Sequence, residues 1–375
     1  MFEKNIAIAL FNKCRWEEAV EHIDKFYNYL NIQANPNKAL TLMGFAKNVL
    51  FLFRGLDRFF KKTKPIPNQR EIEILDLIYK KGNALANFDN LRFLFALLYA
   101  FNIAIKFDIS KSSEAFRALT GPAGGLAFGG ISFKIPYKIL GFSEKNLDKN
   151  DVGSYMSYTC MKAMVNHVSG NLLEAGYFEE ALINMSFAKG FMWDASTYMV
   201  WFNMMKIDMG KFTESEGYVT KLFDIGNTYG YDYATLIAYI SKTYMEMVKR
   251  NIPEAQSAAD EGISFCIKKG LRLYELAFWG QKAERQILSG DVEGAKESLR
   301  QAKEILNLQK FPAPVLTSFY FVARFMHDVW LLRKITEPKI DSDIQKRAMQ
   351  SGKAALRIIN QVVPYRTKVY RLMGE

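Results

Sequence analysis

At 375 residues, with 49% apolar and 14% aromatic side chains, the chain has ample material for a packed core, which excludes wholesale disorder. A net charge of +11 makes nucleic acid, anionic membrane and acidic protein the partner classes to weigh. Three well-separated cysteines, Cys14, Cys160 and Cys266, form no C-x-x-C pair; they argue against a disulfide framework or a zinc site and for reduced thiols in the cytoplasm.

The N-terminus, Met1 to Leu10, carries Glu3 and Lys4 and no signal-peptide apolar run. Ile6, Ala7 and Leu10 lead into Cys14-Arg15-Trp16-Glu17-Glu18-Ala19, and Ile23 and Phe26 continue an apolar stripe at helical spacing, which predicts a helical hairpin turning at Cys14. A second helix is predicted from Leu40 to Phe60, followed by a basic run and the connector Pro65-Ile66-Pro67-Asn68. Helices are then predicted over Glu71 to Ala86 and, capped by Asp89, over Leu91 to Phe107. The longest strongly apolar stretch, Phe93 to Ile105, is interrupted by Asn102 and falls short of the roughly 20 residues a membrane span needs. It reads as a buried core helix. The interrupted apolar stretch from Ala39 to Phe60 leaves room for a membrane-surface role.

Ala118 to Ser132 holds Gly121, Gly124, Gly125, Gly129 and Gly130 around Pro122. A phosphate-cradling loop would end in Gly-Lys-Ser/Thr or sit as G-x-G-x-x-G between strand and helix, and neither pattern is present. The stretch instead predicts a helix of small residues in close contact with its neighbours, started or kinked near Pro122. Phe142 to Asp151 reads as a polar connection.

From Tyr155 a signature recurs: Gly176-Tyr177-Phe178-Glu179-Glu180-Ala181, Gly210-Lys211-Phe212-Thr213-Glu214-Ser215, Arg250-Asn251-Ile252-Pro253-Glu254-Ala255 and Gly290-Asp291-Val292-Glu293-Gly294-Ala295. The last residues of these units lie 34, 40 and 40 positions apart, a period that predicts stacked helical hairpins. Before each turn come a small residue (Ser169, Asn203, Thr243, Ala283) and, four positions earlier, a large one (Val165, Met199, Tyr239, Trp279). Beyond Pro314 an aromatic-rich helix is predicted to Lys334 and another from Asp343 to about Val363. The Tyr370, Met373 and Gly374 spacing then opens a first helix whose partner would lie past Glu375, as in a fragment of a longer protein.

This order of large residue, small residue, turn glycine, aromatic and alanine resembles the tetratricopeptide repeat. Arg250 departs from it at the turn glycine, Ser215 at the alanine, and Lys242 and Lys282 where the family prefers leucine. The segment from Gly290 to Leu299, the apolar helix after Pro314, and Ser351-Gly352-Lys353-Ala354-Ala355-Leu356 with Val363-Pro364-Tyr365-Arg366 and Val369-Tyr370-Arg371-Leu372-Met373-Gly374 further resemble the helical-repeat region of large bacterial signalling proteins. Those proteins carry a predicted regulatory ATPase module with serine/threonine kinase, histidine kinase or nucleotide cyclase domains. The sequence holds no Walker lysine, no kinase His-Arg-Asp and no cyclase metal carboxylates. What the resemblance implies is the spacer and sensor portion of such a protein, with the enzymatic domains flanking it.

The three histidines, His22, His167 and His327, fall in separate predicted helices, and only His327 has a neighbouring carboxylate, Asp328. Residues adjacent in a helix point about 100° apart, so that pair makes no dyad by itself. The carboxylates Glu17, Glu18, Glu179 and Glu180 sit where a helix N-terminus favours negative charge. Two basic clusters, Arg54, Arg58, Lys61, Lys62 and Lys64, and Arg366, Lys368 and Arg371, lie at helix ends and connectors, while the aromatics follow core spacing. That division favours a solvated face or an acidic protein partner over nucleic acid.

The expectation is therefore an all-α, right-handed α-solenoid of tetratricopeptide-like hairpins: helical hairpins over 1–64, hairpins with the glycine-rich helix over 65–150, repeats over 151–310 and C-terminal helices over 311–375. It would act without cofactor or metal as a cytoplasmic protein-interaction and regulatory scaffold, its partner a protein or peptide, including flanking domains of the same polypeptide. A nucleic-acid-binding repeat protein and a small-molecule sensor with a pocket at the glycine-rich helix are the alternatives. By spacing from the turns, Asn166, Met204, Asp208, Tyr244 and Glu284 should line the inner face where tetratricopeptide arrays take up partners.

Overall fold

The computed structural model describes residues 2–32, 37–54, 64–175, 178–334 and 342–374. Among them the fold is all-α, with eighteen α-helices and no strand. In chain order these begin with α1 (Phe2–Asn12), α2 (Trp16–Tyr29), α3 (Lys38–Phe53), α4 (Gln69–Leu85), α5 (Asn90–Ala104), α6 (Ser113–Phe128) and α7 (Lys134–Lys145). They continue with α8 (Val152–Val168), α9 (Glu180–Ala188), α10 (Met192–Asp208), α11 (Phe212–Tyr229), α12 (Asp232–Val248) and α13 (Ile252–Lys269). The last are α14 (Arg272–Ser289), α15 (Val292–Asn307), α16 (Pro314–Arg333), α17 (Ser342–Ile359) and α18 (Arg366–Gly374). No helix among the described residues is long and apolar enough to cross a membrane. The chain divides into two compact units. One comprises Met1–Asn166, Ala175–Phe202 and Gly230–Tyr233; the other comprises His167–Glu174, Asn203–Tyr229 and Ala234–Glu375.

The helix ends show why the pattern repeats. Gly130, Gly170, Gly210, Arg250 and Gly290 all have left-handed backbone, φ between 63° and 81°, and recur every 40 residues. Gly190, Gly230 and Gly270 do the same between them. At Gly210 the amide donates to Ile207 O (2.9 Å) and the next amide, of Lys211, donates to Lys206 O (2.8 Å), so the last carbonyls of the helix are satisfied by a Schellman turn. The same pair of bonds closes the helices at Gly130, Gly190, Arg250, Gly270 and Gly290. Cys14 and Arg250, which stand where glycine is expected, adopt φ of 56° and 64°, so the turn geometry overrides the side chain's preference.

One expected unit is misphased. Its left-handed residue is Gly170, six positions before Gly176, and a 3-10 turn over Leu172–Ala175 precedes α9. Gly176 and Tyr177 lie outside the described residues. Ser169 consequently sits in the turn, and the buried Ala163 holds the position one period before Asn203. The structural period is 40 throughout, and the spacing of 34 arose from a glycine-aromatic pair beyond the true turn. Residues 142–145, expected in a connection, are the last turn of α7. The predicted helix from Leu40 is described to Phe53, and 55–63 fall outside the described residues.

In the first unit, α2, α4 and α6 form one row of neighbours and α3, α5 and α7 another, so two layers of helices share a core. Helix α4 starts on a capping box between Asn68 and Glu71, and α5 on Asp89, whose carboxylate accepts from the Arg92 amide (3.0 Å). The glycine-rich stretch is the centre of this unit: every residue of α6 from Ala115 to Ala127 is buried, with Pro122 inside the helix. A Cβ at Gly121 would lie 2.8 Å from the Tyr79 ring, one at Gly125 2.0 Å from Leu97, and one at Gly124 2.4 Å from Met161 Sδ. The glycines are there because neighbouring side chains occupy the space a side chain would need.

In the second unit α14 packs on α13, α15 and α16, and α16 packs on α17 and α18. Leu276, Ala283, Leu299, Ala302, Ile305, Tyr320 and Ala323 make one apolar cluster across α14, α15 and α16. Helix α14 is buried around most of its circumference, including the polar side chains of Gln281, Glu284 and Gln286.

Candidate functional site

The residues expected on the inner face are engaged by the chain itself. In the first unit Asn166 is 2% exposed and accepts a hydrogen bond from the Tyr137 hydroxyl (3.0 Å). The other four belong to the second unit. Met204, Tyr244 and Glu284 are buried there, at 7%, 7% and 3% exposure, and Asp208 is largely covered. The space beside these side chains is taken up by the chain itself.

What fills it around Tyr244 and Glu284 is the C-terminal segment. Val363–Tyr365 forms a 3-10 turn leading into α18. The Tyr365 ring packs edge-on against Tyr244 (centroids 6.5 Å apart) and Phe319 (5.7 Å), and Lys368 Nζ forms an ion pair with Glu284 Oε1 (2.5 Å). On the other side, the Tyr244 hydroxyl donates to Asp208 Oδ1 (2.7 Å) while His167 Nε2 lies 3.1 Å from Asp208 Oδ2. Burial pushes the Tyr244 phenol well above its ordinary range, and the charge of Asp208 pushes it further. Burial does the same to Tyr365, helped by Asp208 and Glu284.

Sequence reasoning placed Asp208, Tyr244 and Glu284 in one region and missed His167, Tyr365 and Lys368. His167 lies 41 residues before Asp208. Tyr365 and Lys368 were legible only as part of the Val363-Pro364-Tyr365-Arg366 resemblance and a basic cluster. The lysine of that cluster is committed to a buried glutamate, and Arg366 Nε donates to Ile359 O (3.2 Å). In the other cluster Lys64 donates to the Ile105 carbonyl, and Arg58, Lys61 and Lys62 lie outside the described residues.

The first unit has its own buried polar centre. Arg117, on the glycine-rich helix, forms an ion pair with Asp194 Oδ2 (2.8 Å) and lies 3.4 Å from Asp76 Oδ1. Its guanidinium stacks over the rings of Tyr79 (4.5 Å) and Phe191 (4.9 Å), and the Tyr79 hydroxyl donates to the other Asp194 oxygen (2.5 Å). Burial opposes the guanidinium charge, yet Asp194, Tyr79 and Asp76 together raise its pKa. Burial also pushes the adjacent Cys160 thiol well up, away from the reactive thiolate form. Arg117, Asp194 and Tyr79 bond one another here, with Arg117 Nε left without a hydrogen-bond acceptor, and the cluster reads as a core fastening.

Each histidine lies near a carboxylate: His22 near Glu3 (2.5 Å), His167 near Asp208, and His327 Nδ1 at 3.6 Å from Asp328, which Arg347 also pairs (3.1 Å). Among the described residues no group of three or more His, Cys, Asp or Glu side chains could hold a metal ion. Cys14, Cys160 and Cys266 are buried and not joined in disulfides. No protein-family model matches the chain, and none of the curated proteins matches it.

Proposed function

We propose that this chain is a non-catalytic protein-interaction and regulatory scaffold, a right-handed α-solenoid of tetratricopeptide-like hairpins serving as the sensor or spacer portion of a cytoplasmic bacterial signal-transduction protein. The 40-residue recurrence of left-handed Schellman turns supports the repeat array. The observation that carries the interaction role is the docking of Tyr365 and Lys368 onto Tyr244 and Glu284. An aromatic ring in an aromatic-lined site and a lysine on a buried glutamate, three residues further on, make a compact recognition unit of the kind helical arrays use for peptides. The partner is a protein or peptide segment presenting an aromatic residue followed by a cation, in a flanking domain of the same polypeptide or in another chain, and its binding would displace the resident segment.

The test uses the full chain with Tyr365→Ala and Lys368→Ala, which vacates the face, and a fluorescent peptide of residues 361–374. Anisotropy should show saturable binding to this variant, much weaker binding to the wild type, and loss of binding when Glu284→Gln is added. Equal binding to all three proteins would contradict the proposal.

A further inference from the structure

Helix α3 of the first unit breaks the rule by which the other core helices are built. Thr41, Phe45, Val49 and Leu52 form its buried stripe; Phe45 packs edge-on against Phe101 (5.3 Å), and Asn102 of α5 holds it by donating to Thr41 O (2.8 Å). Its opposite face should be polar. Instead Leu40, Leu42, Met43, Leu50 and Phe53, flanking and opposite the stripe, are 41% to 69% exposed. The polar side chains beside them are cationic: Lys38, Lys47 and Arg54 are exposed, and α3 holds no acidic residue.

The cationic character continues onto α7, which packs beside α3. A groove of about 590 Å³ lies there, floored by Leu52, Phe53 and Tyr137 and rimmed by Lys134, Lys138 and Lys145, with no acidic side chain among its lining residues. The Lys138 ammonium sits over the Phe53 ring (5.6 Å), so apolar and cationic groups share one surface. Glu144, the acidic residue of α7, is engaged by the Tyr158 hydroxyl.

We propose that this face of the first unit seats the protein on an anionic lipid bilayer: Leu42, Met43, Leu50 and Phe53 enter the boundary between headgroups and acyl chains, and Lys38, Lys47, Lys134 and Lys138 meet the phosphates. Long lysine side chains flanking leucine, methionine and phenylalanine are the pattern of a helix lying in the membrane interface. A second copy of this chain fits badly, because an isologous contact would bring the same lysines together with no carboxylate on α3 to meet them. An acidic protein with an apolar patch of its own is the competing occupant, and binding to protein-free phosphatidylserine vesicles separates the two.

The test is flotation of the full chain with phosphatidylcholine vesicles and with vesicles in which about a third of the lipid is phosphatidylserine. Binding is expected only to the phosphatidylserine vesicles and should fall as salt is raised. Neutralising Lys134→Gln with Lys138→Gln should weaken it by about 25-fold, at about fivefold for each lysine. Leu42→Ser with Leu50→Ser should weaken it at least as much while the zwitterionic vesicles stay unbound. All these positions are exposed, and unchanged circular dichroism and melting verify that the variants fold. No binding to phosphatidylserine vesicles, or equal binding by wild type and both variants, overturns the proposal; so does a wild-type dimer that the Leu42→Ser, Leu50→Ser variant converts to monomer.

Discussion

The Tyr244 hydroxyl donates a 2.7 Å hydrogen bond to Asp208 Oδ1, joining the ends of two helices 36 residues apart in the chain. Both groups are largely shielded from water, and Asp208 has His167 on its other oxygen. Tyr244→Phe removes one donor from a buried carboxylate while keeping the ring against Phe319 and Tyr365. The expected cost is about 1–3 kcal/mol, measured by urea unfolding, and Tyr244→Ala should cost more by losing the ring contacts as well.

The left-handed turns make a prediction of opposite signs. Gly210 has nothing within 4 Å of where a Cβ would stand, so Gly210→Ala pays only the backbone cost, about 1 kcal/mol. Arg250 is exposed and holds φ of 64°, so Arg250→Gly should stabilise by about 0.5 kcal/mol after the extra freedom of the unfolded glycine is subtracted. Gly262→Ala differs in kind, because its Cβ would meet the Phe278 ring at 2.4 Å, and overpacking there should cost about 1–3 kcal/mol. Denaturant midpoints of the three variants, with unchanged slopes, check this order.

Those turns also show what was legible in the sequence. The helices, the cap at Asp89, the hairpin at Cys14 and the close-packed glycine helix all follow from local rules, since capping, periodicity and absent side chains act within a few residues; the capping box of Asn68, read only as part of a connector, was missed. The first repeat was misphased because Gly170 carries no aromatic beyond it to mark it as a turn, while Gly176 does. Spacing from the turns carries no information on what covers Tyr244 and Glu284, because that depends on partners far along the chain, here Tyr365 and Lys368. Arg117 and Asp194, 77 residues apart, leave no local sign of their pairing.

That buried pair makes its own prediction. Arg117→Met leaves Asp194 buried beside Tyr79 with its cation gone, and should destabilise the protein by about 3–5 kcal/mol. Replacing both residues, Arg117→Met with Asp194→Leu, should recover most of that loss, because the cost lies in the stranded charge. A double variant no more stable than the single one would mean that the guanidinium stacking on Tyr79 and Phe191 dominates.

Alkaline pH should unfold the chain early. Tyr79, Tyr244, Tyr365 and Cys160 keep their protons in the fold to well above their ordinary values of 10.0 and 9.0, chiefly because they are buried. The unfolded chain releases those protons first, so it binds fewer protons than the native state there and stability falls as pH rises. Stability from these groups is fully present below about pH 9 and is lost above it. Thermal melts from neutral pH to about pH 11 should show the decline, and Tyr244→Phe should make it shallower.

Hydrogen exchange across the C-terminal segment tests most directly whether the Tyr244–Glu284 face is a site for a docked chain segment. In Glu284→Gln, amides of residues 366–374 should exchange at least tenfold faster than in the wild type, while those of α14 and α15 keep their protection. Unchanged exchange in the segment, or loss of protection throughout α14 and α15 with it, would contradict a separable docking interaction and leave the segment as an ordinary part of the core.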